Sequence, residues 1–490
     1  MKSKSWPGRQ VLSKYYNSVF NLIIKKLNIL KLLTSGKMKK KSFSRRNFIA
    51  TLSAGSAAVA ASGYIPAFGN ITIGKGNADK LAILGGTPVV KDKVWPEWPY
   101  VDERVVEEVV KTTRSGIWCR IQSPNGTVPT FEQEFAKIYG TKTSVSTGSG
   151  TQALNTVVEA MGFGPGDEII TSPYTDPGTI QGILVSRALP VMADLDTESF
   201  QLDPADVERK ITKRTKAIMP VHIMGQPCDM QSIMALAKKY DLKVIEDSCQ
   251  AFLAEYQGKL LGTIGDAGCF SFQTSKVFCC GEGGAIVSHN EELMDKCYTV
   301  MNHGTAKNGK TLTIGSKYRM NEFEGAVLLG QLPGVRERHE IRNRNARYLT
   351  EKLKGCPGLV PQKLYEGTTA GSFYLYTWSY KKEQFNNAPR DKFFKAIAAE
   401  GIGLSPYIAN GLHREPWTDH IQTLPEYKKM YGSARLKKFK EELYLPKCDQ
   451  VCDEMVMLWA SGPLLGTLAD MDDLINAVMK VYDNRDKLNF

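Results

Sequence analysis

Ten cysteines are spread along the 490 residues without one Cys-x-x-Cys pair, and the six histidines fall at no spacing that a metal site uses. This excludes a zinc ribbon, a thioredoxin-like redox motif and a dense disulfide framework. Cys279 and Cys280 are adjacent and poorly placed to bridge each other. The cysteines read as small buried hydrophobes, with pairing left open if the chain works outside the cytoplasm. No internal repeat is present. Acidic residues are absent from positions 1–46, which hold thirteen Lys or Arg, so the net charge of +12 belongs to this leader and the remainder is left at −1. A nucleic-acid partner needs a basic patch on the folded part itself, and the charge distribution argues against one. The chain is 42% apolar and 23% charged, which sets disorder aside and leaves length enough for a large core and two domains.

The leader has its own signature. Ser44-Arg45-Arg46-Asn47-Phe48-Ile49 resembles the twin-arginine export motif, and a weakly apolar run rich in Ala, Ser and Gly follows it. Ala58-Val59-Ala60 offers a small-residue cleavage site. The run is too short and too weakly apolar for a convincing membrane span, so contact with the membrane is expected to be transient and the mature chain periplasmic or otherwise extracytoplasmic. The other readings are a soluble basic helix, or a signal retained as an anchor. Met38 is a second plausible start, leaving residues 1–37 as an over-extended frame or a tail.

Beyond the leader (1–69) and a glycine-rich arm (70–94), strand and helix patterns alternate. Strands are expected at 143–146, 168–172, 190–194, 215–221, 243–246, 269–272 and 285–288. Helices are expected at 102–113, 131–139, 150–161, 179–188, 203–211, 230–240, 322–331 and 336–354, the first with Val105, Val106, Val109 and Val110 on one face. Repeated strand–helix–strand units predict an α/β fold with a mostly parallel sheet covered on both faces. This large domain is expected to span 95–335, with a smaller α+β domain at 336–490.

Ligands collect at the carboxyl ends of parallel strands, and four candidate stretches fall there. Gly148-Ser149-Gly150-Thr151 opens a helix and reads either as an anion cradle or as a plain cap. Pro173 to Pro177 follows the next strand. Asp247, in KVIEDSCQA, ends an apolar strand, where a carboxylate needs a cationic partner unless it is an ordinary loop residue. Lys276, in GCFSFQTSKVFCCGEGGAIV, sits between two apolar strands, either as a snorkelling turn residue or as a reactive amine able to form an imine. An anion cradle, a carboxylate and a reactive lysine meet the three needs of pyridoxal phosphate.

The motifs SGTQAL, GPGDEIITSPYT, PVHIMGQPCDM, VIEDSCQA, GDAGCFSFQTSK, GEGGAIV and KYRMNEFEGAVLLGQL together resemble the DegT/StrS family of pyridoxal-phosphate aminotransferases, which act on keto-sugars and keto-cyclitols. The ending LWASGPLLGTLADMDDLINAVMKV is similar to the cyclitol aminotransferase branch. The resemblance implies the fold-type I, aspartate-aminotransferase-like architecture, a homodimer with interfacial active sites, and pyridoxal 5'-phosphate held on Lys276 as a Schiff base. It implies that Asp247 faces the ring nitrogen, Gln250 lies near the ring, and Ser271, Gly150 and Thr151 hold the phosphate. Two positions depart from the family pattern. Asp176 replaces an aromatic expected to stack on the ring, a role open to Tyr174, and Lys317 replaces an asparagine sent to the partner's phosphate. The resemblance also implies a place for His413 near the substrate mouth. The implied reaction moves an amino group from glutamate or glutamine to a keto-sugar or a keto-cyclitol such as a scyllo-inosose-like ketone. The competing reading is a catalytically silent homologue that binds a sugar or has a regulatory role.

Overall fold

The apolar runs SVST, EIIT, LPVM, TKAIM and KVIED are each four or five residues long and almost wholly buried. Strands with no solvent face belong to a sheet covered on both sides. A computed structural model describes residues 79–490. The twin arginines Arg45 and Arg46, the cleavage candidate at 58–60 and the start of the arm lie outside the described residues. The five runs form β1 (Ser144–Thr147), β2 (Glu168–Thr171), β3 (Leu189–Met192), β4 (Thr215–Met219) and β5 (Lys243–Asp247). A short hairpin, β6 (Glu255–Tyr256) and β7 (Lys259–Leu260), precedes β8 (Ala267–Ser271) and β9 (Gly284–Val287). The main sheet is ordered β1-β9-β8-β5-β4-β2-β3. Only β9 runs against its neighbours, pairing antiparallel with both β1 and β8, while β8, β5, β4, β2 and β3 pair in parallel.

The helices between the strands start where the sequence offers a cap. Ser149 caps Gly150–Ala160, Asp203 caps Pro204–Lys210, and Asp229 caps Met230–Tyr240, each accepting a backbone N–H of the first turn. The helix expected at 179–188 begins earlier, at Pro177, and stops at Leu184. Its start is the Asp176-Pro177 pair, an N-cap followed by proline at the first helical position, and Arg187 leaves the helical region at φ 68°. The valine face expected on the first helix is also corrected. Of the four valines in Glu103–Ser115 only Val105 is buried, while Val106 and Val110 are exposed. Residues 105 and 106 diverge by about 100° around a helix, and it is Val105 that meets the backbone of Glu322–Gln331 at Gly330.

The second half builds a three-stranded antiparallel sheet, β10-β12-β13, from β10 (Leu359–Pro361), β12 (Leu375–Tyr380) and β13 (Met455–Trp459). Between them β11 (Thr368–Ala370) joins the β6–β7 hairpin. A core of Trp378, Phe385, Phe393 and Leu474 lies against this sheet, and the segment after residue 79 is tied to it by Glu400, which accepts from Ala82 N and Val89 N and pairs with Lys480. None of the described helices is long and apolar enough to cross a membrane.

One buried carboxylate holds the end of β5, beside Asp247. Glu246 is fully buried and accepts hydrogen bonds from the N–H groups of Gly262, Ile264 and Gly265 at 2.6–2.7 Å. His222 adds a contact from Nε2 at 3.0 Å, while its Nδ1 accepts the Cys228 N–H, which puts the ring proton on Nε2. Removing the carboxylate strands three backbone donors and the imidazole in the core. Glu246→Ala is expected to lower unfolding free energy by roughly 3–5 kcal/mol. Urea unfolding checks this, and a midpoint equal to that of the unsubstituted protein would contradict it.

Candidate active site

The parallel strands all end on one side of the sheet, and β9 begins there. Gly284, its first residue, pairs with Thr147 at the end of β1 and with Ser271 at the end of β8. A side chain at 284 would lie 2.4 Å from Ser149 O, so glycine is what lets the β1 turn close over this point. Gly150 makes the matching contact. A Cβ on it would meet Ser271 Cβ at 2.6 Å and Cys249 Sγ at 2.9 Å, so the helix start rests directly against the end of β8. The Gly150 and Thr151 N–H groups belong to the first turn, where no intrahelical acceptor exists. The positive end of the helix dipole adds to them. Ser271 Oγ accepts weakly from Gln273 N at 3.4 Å and keeps its own proton to donate. These groups form a seat for an anion.

Lys276 stands on the loop between β8 and β9. Its neighbours Phe272 and Phe278 anchor that loop in an aromatic cluster, Phe272 edge-on to Phe131 at 5.5 Å and Phe278 stacked on Phe252 at 4.7 Å. With both flanks buried, the lysine is left half-buried and directed to a cavity of about 400 Å³. Its Nζ lies 4.2 Å from the ring centroid of Tyr374, whose hydroxyl is 2.9 Å from Ser275 Oγ. The amine ends at the cavity wall beside Tyr374, a position that favours the reactive-amine reading over a snorkelling one.

Asp247 opens on the same cavity from the end of β5 and is 3% exposed. Its Oδ2 accepts from Thr179 Oγ1 at 2.7 Å and its Oδ1 from Cys249 N at 3.2 Å. Among the described residues no lysine, arginine or histidine pairs with it. A buried carboxylate with only two neutral donors is under-compensated and suited to a cationic ligand group. Gln250 is held in place from both ends, its Oε1 accepting from Met224 N at 2.7 Å and its Nε2 donating to Tyr407 OH at 3.1 Å. Cys249 also lines the cavity, but burial, and then the Asp247 charge, push its thiol well above the ordinary range, so it is no nucleophile.

The cavity thus brings together Gly150, Thr151, Asp176, Asp247, Gln250, Ser271 and Lys276. Asp176 reaches its rim as the cap of Pro177–Leu184, accepting Gly178 N at 2.8 Å, and this accounts for an aspartate at that position. Three other candidates lie apart in this chain. Tyr174 is wholly buried behind Tyr407 at 6.4 Å between ring centroids, and does not line the cavity. Lys317 is exposed on a bridge with Asn302. His413 is buried with its Nε2 3.0 Å from Asp449 Oδ1, and burial lowers its pKa against the raising effect of that carboxylate. Thr179, Ser275, Tyr374 and Tyr407 line the cavity without having been singled out in the sequence. Thr179 was within reach of a reading that placed the helix start at Asp176-Pro177. The two tyrosines come from segments with no local motif. A second cavity of about 640 Å³ adjoins through Thr175, Asp176 and Tyr407, walled by Ile180, Leu184, Leu412 and Trp417.

The donor set fits pyridoxal phosphate: an anion seat that an added Cβ would fill, a buried carboxylate short of a cation, and an amine facing both across one cavity. Comparison with known proteins places the chain among aminotransferases. Residues 99–457 match the model of the DegT/DnrJ/EryC1/StrS aminotransferase family. A putative L-glutamine:3-amino-2,3-dideoxy-scyllo-inosose aminotransferase of Streptoalloteichus tenebrarius is 34% identical over 420 residues, covering 84% of this chain and 99% of that one. An L-glutamine:2-deoxy-scyllo-inosose aminotransferase of the same organism is 33% identical, covering 83% and 99%. The crystal structure of 3-amino-5-hydroxybenzoic acid synthase superposes with a TM-score of 0.70 at 25% identity, over 81% of this chain and all of that one. The chain belongs to the DegT/DnrJ/EryC1/StrS aminotransferase family.

Proposed function

We propose that this aminotransferase binds pyridoxal 5'-phosphate at Lys276 and passes an amino group from glutamine or glutamate to a keto-cyclitol or keto-sugar. The observation that carries the reading is the meeting of Lys276, Asp247 and the Gly150–Ser271 anion seat on one cavity. The named activities of the relatives support glutamine as donor and an inosose-like ketone as acceptor. When bound, the cofactor supplies an aldehyde that exchanges with amino groups and a ring that withdraws electrons from the reacting carbon.

The residues of the chain have separate tasks. The Gly150 and Thr151 N–H groups and the Ser271 hydroxyl bind the phosphate and fix the ring's position. The Asp247 carboxylate, oriented by Thr179 and Cys249 N, would face the ring nitrogen and favour its protonated form. The Lys276 amine would hold the cofactor and, when free, would serve as the base that moves a proton at the substrate carbon. Gln250, locked by Met224 and Tyr407, sets the edge of the ring site. The adjoining cavity offers the acceptor an apolar wall, with Trp417 suited to the C–H face of a cyclic polyol. We further propose a homodimer in which Lys317 serves the partner's phosphate, and export by the twin-arginine route, which the Ser44 to Ile49 motif supports.

Four experiments test this. Glutamine or glutamate should convert the protein-bound cofactor to its pyridoxamine form, read by absorbance. No conversion with any amine would leave a binding protein instead, and borohydride still fixing the cofactor covalently to Lys276→Ala would remove the lysine from its role. Asp247→Asn keeps most of the local shape but not the charge, and turnover should fall roughly a hundredfold or more. Gly150→Ala puts a methyl against Ser271 and Cys249, and cofactor retention through gel filtration should weaken by about tenfold or more. Unchanged retention would mean that the phosphate sits elsewhere.

A further inference from the structure

Two buried arginines lack the partner that burial usually demands. Arg338 and Arg342 lie one turn apart on the helix Val335–Lys352, 7% and 1% exposed, and among the described residues neither pairs with a carboxylate. Burial pushes the Arg342 guanidinium down to about 9, with Arg338 adding to the effect, and lowers Arg338 as well. So costly an arrangement calls for a task. Both guanidinium groups spend their hydrogen bonds on peptide carbonyls. Arg342 donates Nε and Nη2 to Ser461 O at 3.2 and 2.7 Å, and Arg338 donates Nη2 to Gln331 O at 2.8 Å.

The two residues so held reach the same loop. Ser461 Oγ donates to Ser275 O at 2.7 Å, and Gln331 Nε2 donates to Cys279 O at 2.9 Å. These carbonyls bracket Lys276, one just before it and one three residues after. The arginines have a second connection as well. Arg342 lies 4.9 Å over the Trp98 ring and Arg338 4.4 Å over Tyr100, and the Trp98 indole donates to Thr274 O at 3.0 Å. Three carbonyls of the loop, at 274, 275 and 279, are therefore fixed by donors that the arginine pair orders. A charged donor fits this use, because charge-assisted bonds are shorter and stiffer than neutral ones.

We propose that Arg338 and Arg342 are positioning residues for Lys276, acting through Gln331, Ser461 and Trp98 to hold the lysine loop at a fixed height over the cavity. The inference rests on the reading of Lys276 as the cofactor-bearing amine. Ser461→Ala removes a single relay bond and leaves the Ser461 carbonyl for Arg342. In this variant, turnover with glutamine should fall roughly three- to tenfold, with the glutamine KM unchanged within about twofold. In the cofactor-free protein, amide hydrogen exchange over residues 273–280 should rise while β4 and β5 keep their protection. Ser461→Thr should restore both readouts. Arg342→Met should show the same local signature together with a lowered unfolding midpoint. If Ser461→Ala leaves exchange at 273–280 unchanged, or raises it evenly along the chain, the arginines are plain scaffold and the proposal fails. The exchange arm needs no cofactor, so a protein unresponsive to glutamine would defeat the functional reading while leaving this arm to decide positioning.

Discussion

The contact on which the site depends is the approach of the Gly150 backbone to the end of β8. Its Cβ-free face lies where any side chain would stand 2.6 Å from Ser271 Cβ. The approach follows from topology. β9 runs against its neighbours, so it starts where β1 and β8 finish, and Gly284 pairs with both strand ends at once. The close approaches at Gly150 and Gly284 place a helix N-terminus, a serine hydroxyl and the lysine loop on one small cavity. The stabilisation that permits this is ordinary packing of Phe131, Phe135, Phe272 and Phe278 beneath the loop, each worth about 1.5–3 kcal/mol when fully buried.

Buried charge is handled in three ways in this chain. Glu246 is fully satisfied, by three backbone donors and His222, and its role is to fix the strand end. Its neighbour Asp247 has two neutral donors and no cation, which leaves its charge available to a ligand. Arg338 and Arg342 reverse the sign, cations that meet only carbonyls and aromatic faces, with Arg338 Nε left without a partner. Full satisfaction marks a structural group. Deficiency beside a cavity marks a binding group, and deficiency away from one marks a group whose bonds are directed at something else.

Much of the sheet was legible, because strands buried on both faces read as unbroken apolar runs and their helices carry cap residues. The runs around 168–172, 215–221 and 243–246 correspond to β2, β4 and β5 within one to two residues at each end. The first helix misled because adjacent valines were assigned to one face, whereas only Val105 packs. Site residues on strand ends were readable for the same reason as the strands, since Asp247, Ser271 and Gly150 sit at fixed offsets from apolar runs. Tyr374 and Tyr407 were not, because their placement is decided by the second sheet and its loops, where spacing along the chain carries no record of proximity.

The same limit explains the departure at residue 176. Compared position by position, an aspartate in place of a stacking aromatic looks like damage to a binding site. In the fold it is the cap of a helix that opens with Pro177, and its carboxylate is engaged by Gly178 N. The short helix it starts carries Thr179, which donates to Asp247. A residue at the cavity rim thus caps the helix that brings the Thr179 donor to Asp247. Aromatic surface in the cavity comes instead from Tyr374, which faces Lys276, and from Tyr407, which holds Gln250. Both lie far along the chain, so a comparison confined to the local motif detects the loss at 176 but not the surface that replaces it.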